Sequence, residues 1–389
     1  MTCAAKTDGR CTQTPQAFVW SGKPLGQARS APASFYTSQE VFQAEVNQIH
    51  LKHWIFIGRT DQVAEPNSYL AVDTVGGPVL LTRDQNGELH AFANYCRHRG
   101  AQLVEGCGRR QRLVCPYHAW GFGLDGRLLR APGMEDVPGF DLDKESLIPI
   151  RMAEWAGNVF VNYDDSAPDL MTHLGGFPAL FASHKVEDMR WVFGVEIPAA
   201  CNWKMLLENA METYHTGIVH ARTVGAQTSM TFDGEENWAA IQVQSTMTTA
   251  VLDKSAPAPF PQIASLDEQA RKGTYFTLLH PTTQFVFAQD CMWWLAVRPV
   301  APDRSVLSVG GCFPKDYVAL PNFQELAQPY FTRWESVAKE DVGILERQQK
   351  GVSSVLFKPG LLSSRDDVVH TMGEWIRQRI GTAIYNDPF

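Results

Sequence analysis

The spacing of apolar positions changes twice in the first half of the chain. Over 39–57, Val41, Phe42, Val46, Ile49 and Trp54 fall close to helical spacing, which predicts a helix. From Ser68 onward the apolar runs become short: 69–72, 79–82 and 89–92, separated by Gly76-Gly77-Pro78 and Asn86-Gly87. Asn-Gly is a strong hairpin signal because both residues tolerate positive φ, and Asp125-Gly126 marks another turn. With a further strand over 155–163, residues 55–165 read as a small all-β domain. The stretch 164–168 (Asp-Asp-Ser-Ala-Pro) marks a boundary. Beyond it, strands are predicted over 191–197, 238–251, 275–280, 285–288, 292–297 and 306–312, and helices over 203–219 and 323–350. The Ala-, Pro- and Ser-rich stretch 254–269 predicts a loop. Antiparallel strands followed by long helices give an α+β fold class.

Composition narrows this picture. A chain of 389 residues holds two or three domains, or one with a large insertion. Its 44% hydrophobic and 20% charged residues exclude disorder as the main state. Lys plus Arg number 34 against 42 Asp plus Glu, a net charge of -8, which gives no basic footprint for nucleic acid. No apolar run approaches the ~20 residues that cross a bilayer. Residues 1–34 carry Lys6, Arg10, Lys23 and Arg29 against one acid, Asp8, and are expected to be a disordered leader, with a short transit peptide as the alternative. Eight scattered cysteines argue for reduced thiols in a cytoplasm rather than a disulfide scaffold.

Candidate chemistry begins at Cys96-Arg97-His98 and Cys115-Pro116-Tyr117-His118. Each loop supplies one thiolate and one imidazole. Two cysteines on one iron and two histidines on the other make the Rieske form of a [2Fe–2S] cluster. Trp120 and Phe122 can limit water access, and Gly100, Gly121 and Gly123 let the backbone come close. A structural zinc site would use the same ligand set, although zinc fingers group Cys with Cys and His with His. Cys107 lies near enough in sequence to be a supporting residue.

A second constellation is Glu212, His215 and His220. Glu212 and His215 are three apart and share a face of the predicted helix. Gly217 permits a deviation that would swing His220 toward His215. Two imidazoles and a carboxylate form the facial triad of non-haem iron(II), with open positions left over. The alternative is a structural histidine pair. If Glu212 has another task, Asp341 can supply the carboxylate: it shares a stripe with Trp334, Ala338 and Leu345 and so points inward. Glu340, on the stripe of Arg333, Val337, Ile344 and Arg347, is expected to meet solvent. For Asp341 the alternative is a buried ion pair or a cap.

These residues resemble the large (α) subunit of the Rieske non-haem iron oxygenases, the ring-hydroxylating oxygenases, from about Phe35 to the C-terminal region. The cluster motif, Trp120-Gly121, Asp125-Gly126, Asn202-Trp203-Lys204, the acid-x-x-His-x4-His segment and the late Asp341 carry the likeness. The resemblance implies a Rieske β domain (55–165) inserted in a helix-grip catalytic domain (35–54 and 166–389). It implies that Cys96, His98, Cys115 and His118 bind [2Fe–2S], and that His215, His220 and Asp341 bind a mononuclear Fe(II). Glu212 would join the centres across a subunit contact, bonding His215 and a neighbouring chain's cluster histidine, most naturally His118, in a homotrimer. Glutamate here, where many ring dioxygenases have aspartate, is more similar to the branch acting on glycine betaine, carnitine and choline.

The implied activity is that of a terminal oxygenase, using O2 to hydroxylate or oxidatively demethylate a small substrate. The chain has no G-x-G-x-x-G fingerprint and no second cysteine set. Electrons would therefore come from NAD(P)H through a separate flavin reductase or ferredoxin. Phe287, Trp293 or Trp294 could line the pocket and hold a quaternary ammonium group by cation–π attraction, about 2 kcal/mol when desolvated, or could be plain core. Two alternatives stand beside the amine reading: hydroxylation of an aromatic acid or ring, and a zinc-stabilised binding module without redox chemistry.

Overall fold

The computed structural model describes residues 25, 27–252 and 257–381. Most of the expected leader thus lies outside the described residues, as do Cys3 and Cys11. The described end of the leader is packed: Ala28 and Ala31 are buried, and the Ser30 N–H donates to the Gly360 carbonyl at 2.9 Å. Two short helices follow, α1 (Ala33–Thr37) and α2 (Gln39–Glu45), the second capped by Ser38, whose hydroxyl accepts from the Glu40 and Val41 N–H groups. The helix expected over 39–57 ends early. It widens into a π turn at Val46–His50 and gives way to strand β1 (Ile55–Arg59). Every residue of β1 is buried, so core contacts on both faces override the helical spacing.

The next strands are β2 (Ser68–Thr74), β3 (Gly77–Arg83), β4 (Leu89–Ala93), β5 (Cys107–Arg109), β6 (Leu113–Val114), β7 (Gly121–Phe122) and β8 (Leu128–Arg130). They form two sheets, ordered β4-β3-β2-β5 and β6-β7-β8. The predicted turns are present. Gly87 has φ +86°, and Gly126 has φ +82° with the Phe92 ring only 2.5 Å from where a Cβ would stand, so no other residue fits there. The strand expected over 155–163 is instead a hairpin of β9 (Arg151–Trp155) and β10 (Asn158–Asn162). Its turn residues Ala156 and Gly157 both have positive φ, as a tight two-residue turn requires. β1 joins this hairpin as a third strand.

Helices α3 (Leu170–Leu174) and α4 (Phe177–Leu180) lead to a seven-stranded antiparallel sheet ordered β11-β17-β16-β15-β14-β13-β12. Its strands are β11 (Met189–Ala199), β12 (Ser229–Glu235), β13 (Trp238–Gln244), β14 (Gly273–Leu279), β15 (Thr283–Phe287), β16 (Met292–Ala301) and β17 (Arg304–Pro314). The edge strand β12 was not expected: it has little apolar alternation and lies largely exposed. The helix expected over 203–219 is broken into α5 (Trp203–Ala210) and α6 (Thr216–Val219). After the short α7 (Lys315–Val318) comes α8 (Phe323–Val352), close to its expected span, and then α9 (Asp367–Ile380), which was missed. Among the described residues no helix is long and apolar enough to cross a membrane.

The large sheet has two covered faces. One packs on α1, α2, α5, α8 and α9 through residues such as Phe35, Trp203, Trp293, Trp334 and Ile376. The other meets α3, α4, β1 and β10 through Leu174, Phe177, Phe56, Phe160, Phe287 and Trp294. Strand alternation sends Trp293 to the first face and its neighbours Met292 and Trp294 to the second. The small β sheets keep a core of their own around Leu80, Phe92, Leu113, Trp120 and Phe122.

Candidate metal centres and the catalytic cavity

Two tight loops close on each other at one end of the small β domain. In the first, the Gly100 N–H donates to the Cys96 carbonyl (2.9 Å) and the Cys96 N–H to the Ala101 carbonyl (2.8 Å). In the second, the Cys115 N–H donates to the Trp120 carbonyl (2.8 Å) and Ala119 turns back on Cys115 with φ +56°. The thiols of Cys96 and Cys115 are buried in the domain core, while His98 is exposed and His118 half-buried. The two imidazoles face each other, centroids 4.8 Å apart, and His98 stacks flat on Trp120 at 4.9 Å. Burial pushes the Cys96 thiol pKa up, and the adjacent Cys115 adds to this. A bound metal reverses that balance by holding the thiolate. Cys107 is exposed on β5 and takes no part in this core.

The spread of the four side chains bears on the two readings of the motif. Among the described residues, two groups of three or more metal-capable atoms lie within 4.8 Å of one another, and neither includes Cys96, His98, Cys115 or His118. A single zinc would gather all four about one point. Thiols inside and imidazoles outside, held apart, suit a cluster of two irons.

The first of those compact groups is His215, His220 and Asp341. The second, Asp84, Glu88 and His90, is a turn in which Asp84 Oδ1 accepts from the backbone N–H groups of Asn86 and Glu88. His215 stands at the N-terminal end of α6 and His220 at its C-terminal end. Their rings come within 5.2 Å, centroid to centroid. Helix α8 brings Asp341 Oδ1 to 3.0 Å from His220 Nε2 and 3.6 Å from His215 Nε2. Asp341 Oδ1 is buried, yet among the described residues nothing donates to it in hydrogen-bonding geometry. A carboxylate oxygen and two ring nitrogens aimed at one point without bonding one another are what a shared metal ion would satisfy.

The outer ring nitrogens are both engaged. The Glu212 carboxylate accepts from His215 Nδ1 and from the backbone N–H groups of Tyr214 and His215. His220 Nδ1 bonds Glu340 Oε2 at 2.7 Å, and the Thr223 hydroxyl donates to the same oxygen at 2.8 Å. A proton on each Nδ1 leaves each Nε2 lone pair free for a metal. Burial opposes charging of the His220 ring, but Asp341 and Glu340 outweigh it and raise its pKa, so the site favours positive charge.

Several expectations change here. Glu212 and His215 meet through a turn after the end of α5, not on a helix face. Gly217 has no special φ; its value is close approach, since a Cβ there would meet Ala226 Cβ at 3.3 Å. Glu340 bonds His220 instead of facing solvent, because α6 covers that side of α8. Its adjacency to Asp341 was the available signal: neighbouring residues on a helix can reach opposite sides of one ring. A cavity of about 50 Å³ adjoins the three residues, lined also by Ile241, Val243, Phe276, Trp293 and Arg333. Of the three aromatic candidates only Trp293 lines it; Phe287 and Trp294 project into the core on the other face of the sheet.

The profile of the ring hydroxylating alpha subunit (catalytic domain) matches residues 186–382, half of the chain. The chain belongs to the ring-hydroxylating α-subunit family. Residues 53–141 of this α subunit also match the Rieske [2Fe-2S] domain. The Rieske domain binds a [2Fe–2S] cluster and the catalytic domain a mononuclear iron. The carnitine monooxygenase oxygenase subunit of Escherichia coli (strain K12) is 38% identical over 197 residues, 50% of this chain and 53% of that protein. The matched stretch thus spans about half the length of that relative. The glycine betaine monooxygenase oxygenase subunit of Chromohalobacter salexigens is 26% identical over 375 residues, 85% of this chain and 81% of the relative. The solved structure of the quaternary ammonium Rieske monooxygenase CntA with L-carnitine superposes on this α subunit with TM-score 0.73 at 25% identity, covering 90% of this chain and 97% of that one. Naphthalene 1,2-dioxygenase from Rhodococcus sp. shares the fold, with TM-score 0.69 at 17% identity over 91% of this chain and 94% of that one.

Proposed function

We propose that the chain is the terminal oxygenase of a multicomponent system that hydroxylates or oxidatively demethylates a quaternary amine. The observation that carries this is the convergence of His215, His220 and Asp341 at one half-buried point, with both outer nitrogens tied to carboxylates. Relatives named for carnitine and glycine betaine support the substrate class. In this reading Cys96, His98, Cys115 and His118 hold the cluster, in a Rieske domain of residues 55–165. His215, His220 and Asp341 hold the iron, in a catalytic domain formed by 35–54 and 166–389. When bound, the cluster supplies single electrons and the iron supplies oxygen activation at its open positions.

The protein's own residues do the rest. Glu212 and Glu340 fix the orientation and tautomer of the two histidines. The apolar walls, Ile241, Val243 and Phe276, keep bulk water from the reacting carbon. Insertion of one oxygen atom into an N-methyl C–H bond, with the other leaving as water, uses two electrons and two protons. The resulting hemiaminal breaks down to the demethylated amine and formaldehyde. The electrons come from NAD(P)H through a separate flavin reductase or ferredoxin.

Glu212 serves a second purpose, as the contact for a neighbouring chain's cluster in a cytoplasmic homotrimer. Within one chain the small β domain packs on the face of the large sheet opposite the iron cavity. Its own electrons would have to cross that sheet. The surface beside each centre is apolar and exposed: Tyr117 (56%) next to His118, and Tyr214 (61%) and Ile218 (84%) beside Glu212 and His215. Such faces fit contact between copies. Formaldehyde release tests the reaction. With reductase and NADH, carnitine or glycine betaine should yield about one formaldehyde per methyl group lost, matched to O2 consumed. NADH oxidation with neither formaldehyde nor a hydroxylated product from any methylated amine would reject the proposal.

A further inference from the structure

Arg333 sits in the cavity wall with no carboxylate at ion-pair distance among the described residues; Asp341 and Glu340 act on it only from further away. It is 95% buried by the complement of its 5% exposure. Its Nε donates to the Thr249 carbonyl at 3.0 Å, and its guanidinium lies over the Trp293 ring, 5.0 Å from the centroid. Among the described residues no carboxylate forms an ion pair with it. The buried acid Asp290 is engaged by the Thr248 and Tyr330 hydroxyls. Burial pushes the Arg333 pKa down to about 10, so the group remains cationic at neutral pH. A buried guanidinium with one hydrogen bond is costly, and the planar fork has donors left for an anion.

Position makes the cavity the place for that anion. Arg333 and Asp341 both line it, eight residues apart on α8, roughly 12 Å along the helix. The metal-binding set and the cation therefore line one cavity from positions about two helical turns apart on α8. A second unused donor is present: Gln227 lines the same cavity, and its buried Nε2 has no partner among the described residues. Trp293 is poorly placed to receive a ligand cation. Its face is already covered by Arg333, and Phe276 and Trp334 pack against it with centroids at 5.9 and 5.8 Å.

We propose that Arg333 anchors the carboxylate of the substrate, so that the amine oxidised is a betaine, with its N-methyl end toward His215, His220 and Asp341. This rests on the amine reading above and narrows it: carnitine and glycine betaine qualify, and choline, which lacks a carboxylate, does not.

The test is calorimetric binding to the metal-loaded protein, pairing carnitine and glycine betaine each with its neutral primary amide, and adding choline and benzoate. The acids should bind roughly 100-fold more tightly than their amides, the size of a buried charge-assisted pair. Arg333→Gln should weaken the acids by about the same factor and leave the amides unchanged, raising KM far more than it lowers kcat. Arg333→Lys, which keeps the charge without the fork, should fall between. If Arg333→Gln does not fold, the acid–amide comparison on the unmodified protein still decides. Amides or choline binding as tightly as the acids would overturn the anchor and leave the amine reading intact. Benzoate binding in an Arg333-dependent manner, with no betaine bound, would overturn the amine reading and leave the anchor. Binding of none of the acids would overturn the anchor.

Discussion

The cluster loops and the iron site place metal ligands by different means. In the small β domain all four proposed ligands fall within 96–118, and each pair is set by one turn whose hydrogen bonds close over a few residues. In the large domain His220 and its partner Glu340 are 120 positions apart, and they meet only because α6 packs on α8. Local turns fix a site cheaply and tolerate change elsewhere. A site built across helices depends on everything that holds the helices in register. The iron side should therefore respond to substitutions at carboxylates that touch no metal, while the cluster side stays intact.

Glu212→Gln should have the largest effect. The amide keeps the volume but has one accepting oxygen where the carboxylate has two, and its NH₂ end can only donate. Either His215 Nδ1 or the backbone N–H groups lose their acceptor, and in the proposed homotrimer a neighbouring chain's histidine would lose it too. Both metals should remain, and an external donor should still reduce the cluster. Reoxidation on adding substrate and O2, followed by stopped-flow absorbance, should slow by orders of magnitude. An unchanged single-turnover rate would remove Glu212 from the electron path.

Glu340→Ala should be milder and confined to the iron. Loss of the bond to His220 Nδ1 frees that ring to turn, and mononuclear iron affinity should fall by about 10–100-fold. Iron titration of the metal-depleted catalytic site measures this, with the cluster's visible spectrum unchanged. If the affinity held, the site would be less dependent on α8 than its geometry indicates.

The smallest effect concerns what holds α5 in place. Glu208 accepts from the Tyr36 hydroxyl of α1 at 3.0 and 3.1 Å, and Lys204 Nζ lies 2.6 Å from Glu45 Oε1 of α2. Burial raises the Glu208 pKa from 4.5 to about 7, against the Tyr36 and Lys204 interactions that lower it. The folded state therefore keeps a proton that the unfolded chain releases. Stability from this group is present below pH 4.5 and is lost as pH rises toward 7. Glu208→Gln should flatten the pH dependence of thermal unfolding in that window and add roughly 1–3 kcal/mol at pH 8. The same slope in both proteins would show that Glu208 does not titrate there.

The contrast between the sites also explains what the sequence disclosed. The cluster motif, the Asn86-Gly87 and Asp125-Gly126 turns and the inward stripe of Asp341 were legible because each is a local pattern. Glu340 was misread because a helical stripe shows which residues are neighbours, not whether α6 covers them. Phe287 and Trp294 were misplaced because both faces of the large sheet are apolar, so alternation gave no sign of which face holds the cavity. The break after Ala210 had no helix-ending signal beyond Gly217, which lies past it. Arg333 was read only as a member of the Glu340 stripe; its burial against Trp293 is a product of tertiary packing.

Metal analysis tests the central claim most directly, because the claim is that one chain carries two centres with separate ligand sets. Purified protein should contain about three irons and two acid-labile sulfides per chain. His220→Ala should contain about two irons and two sulfides, keep the cluster's visible and electron paramagnetic resonance spectra, and lose oxygenation. Stoichiometric zinc without sulfide, or a His220→Ala protein whose cluster is bleached, would contradict the division of ligands between the two sites.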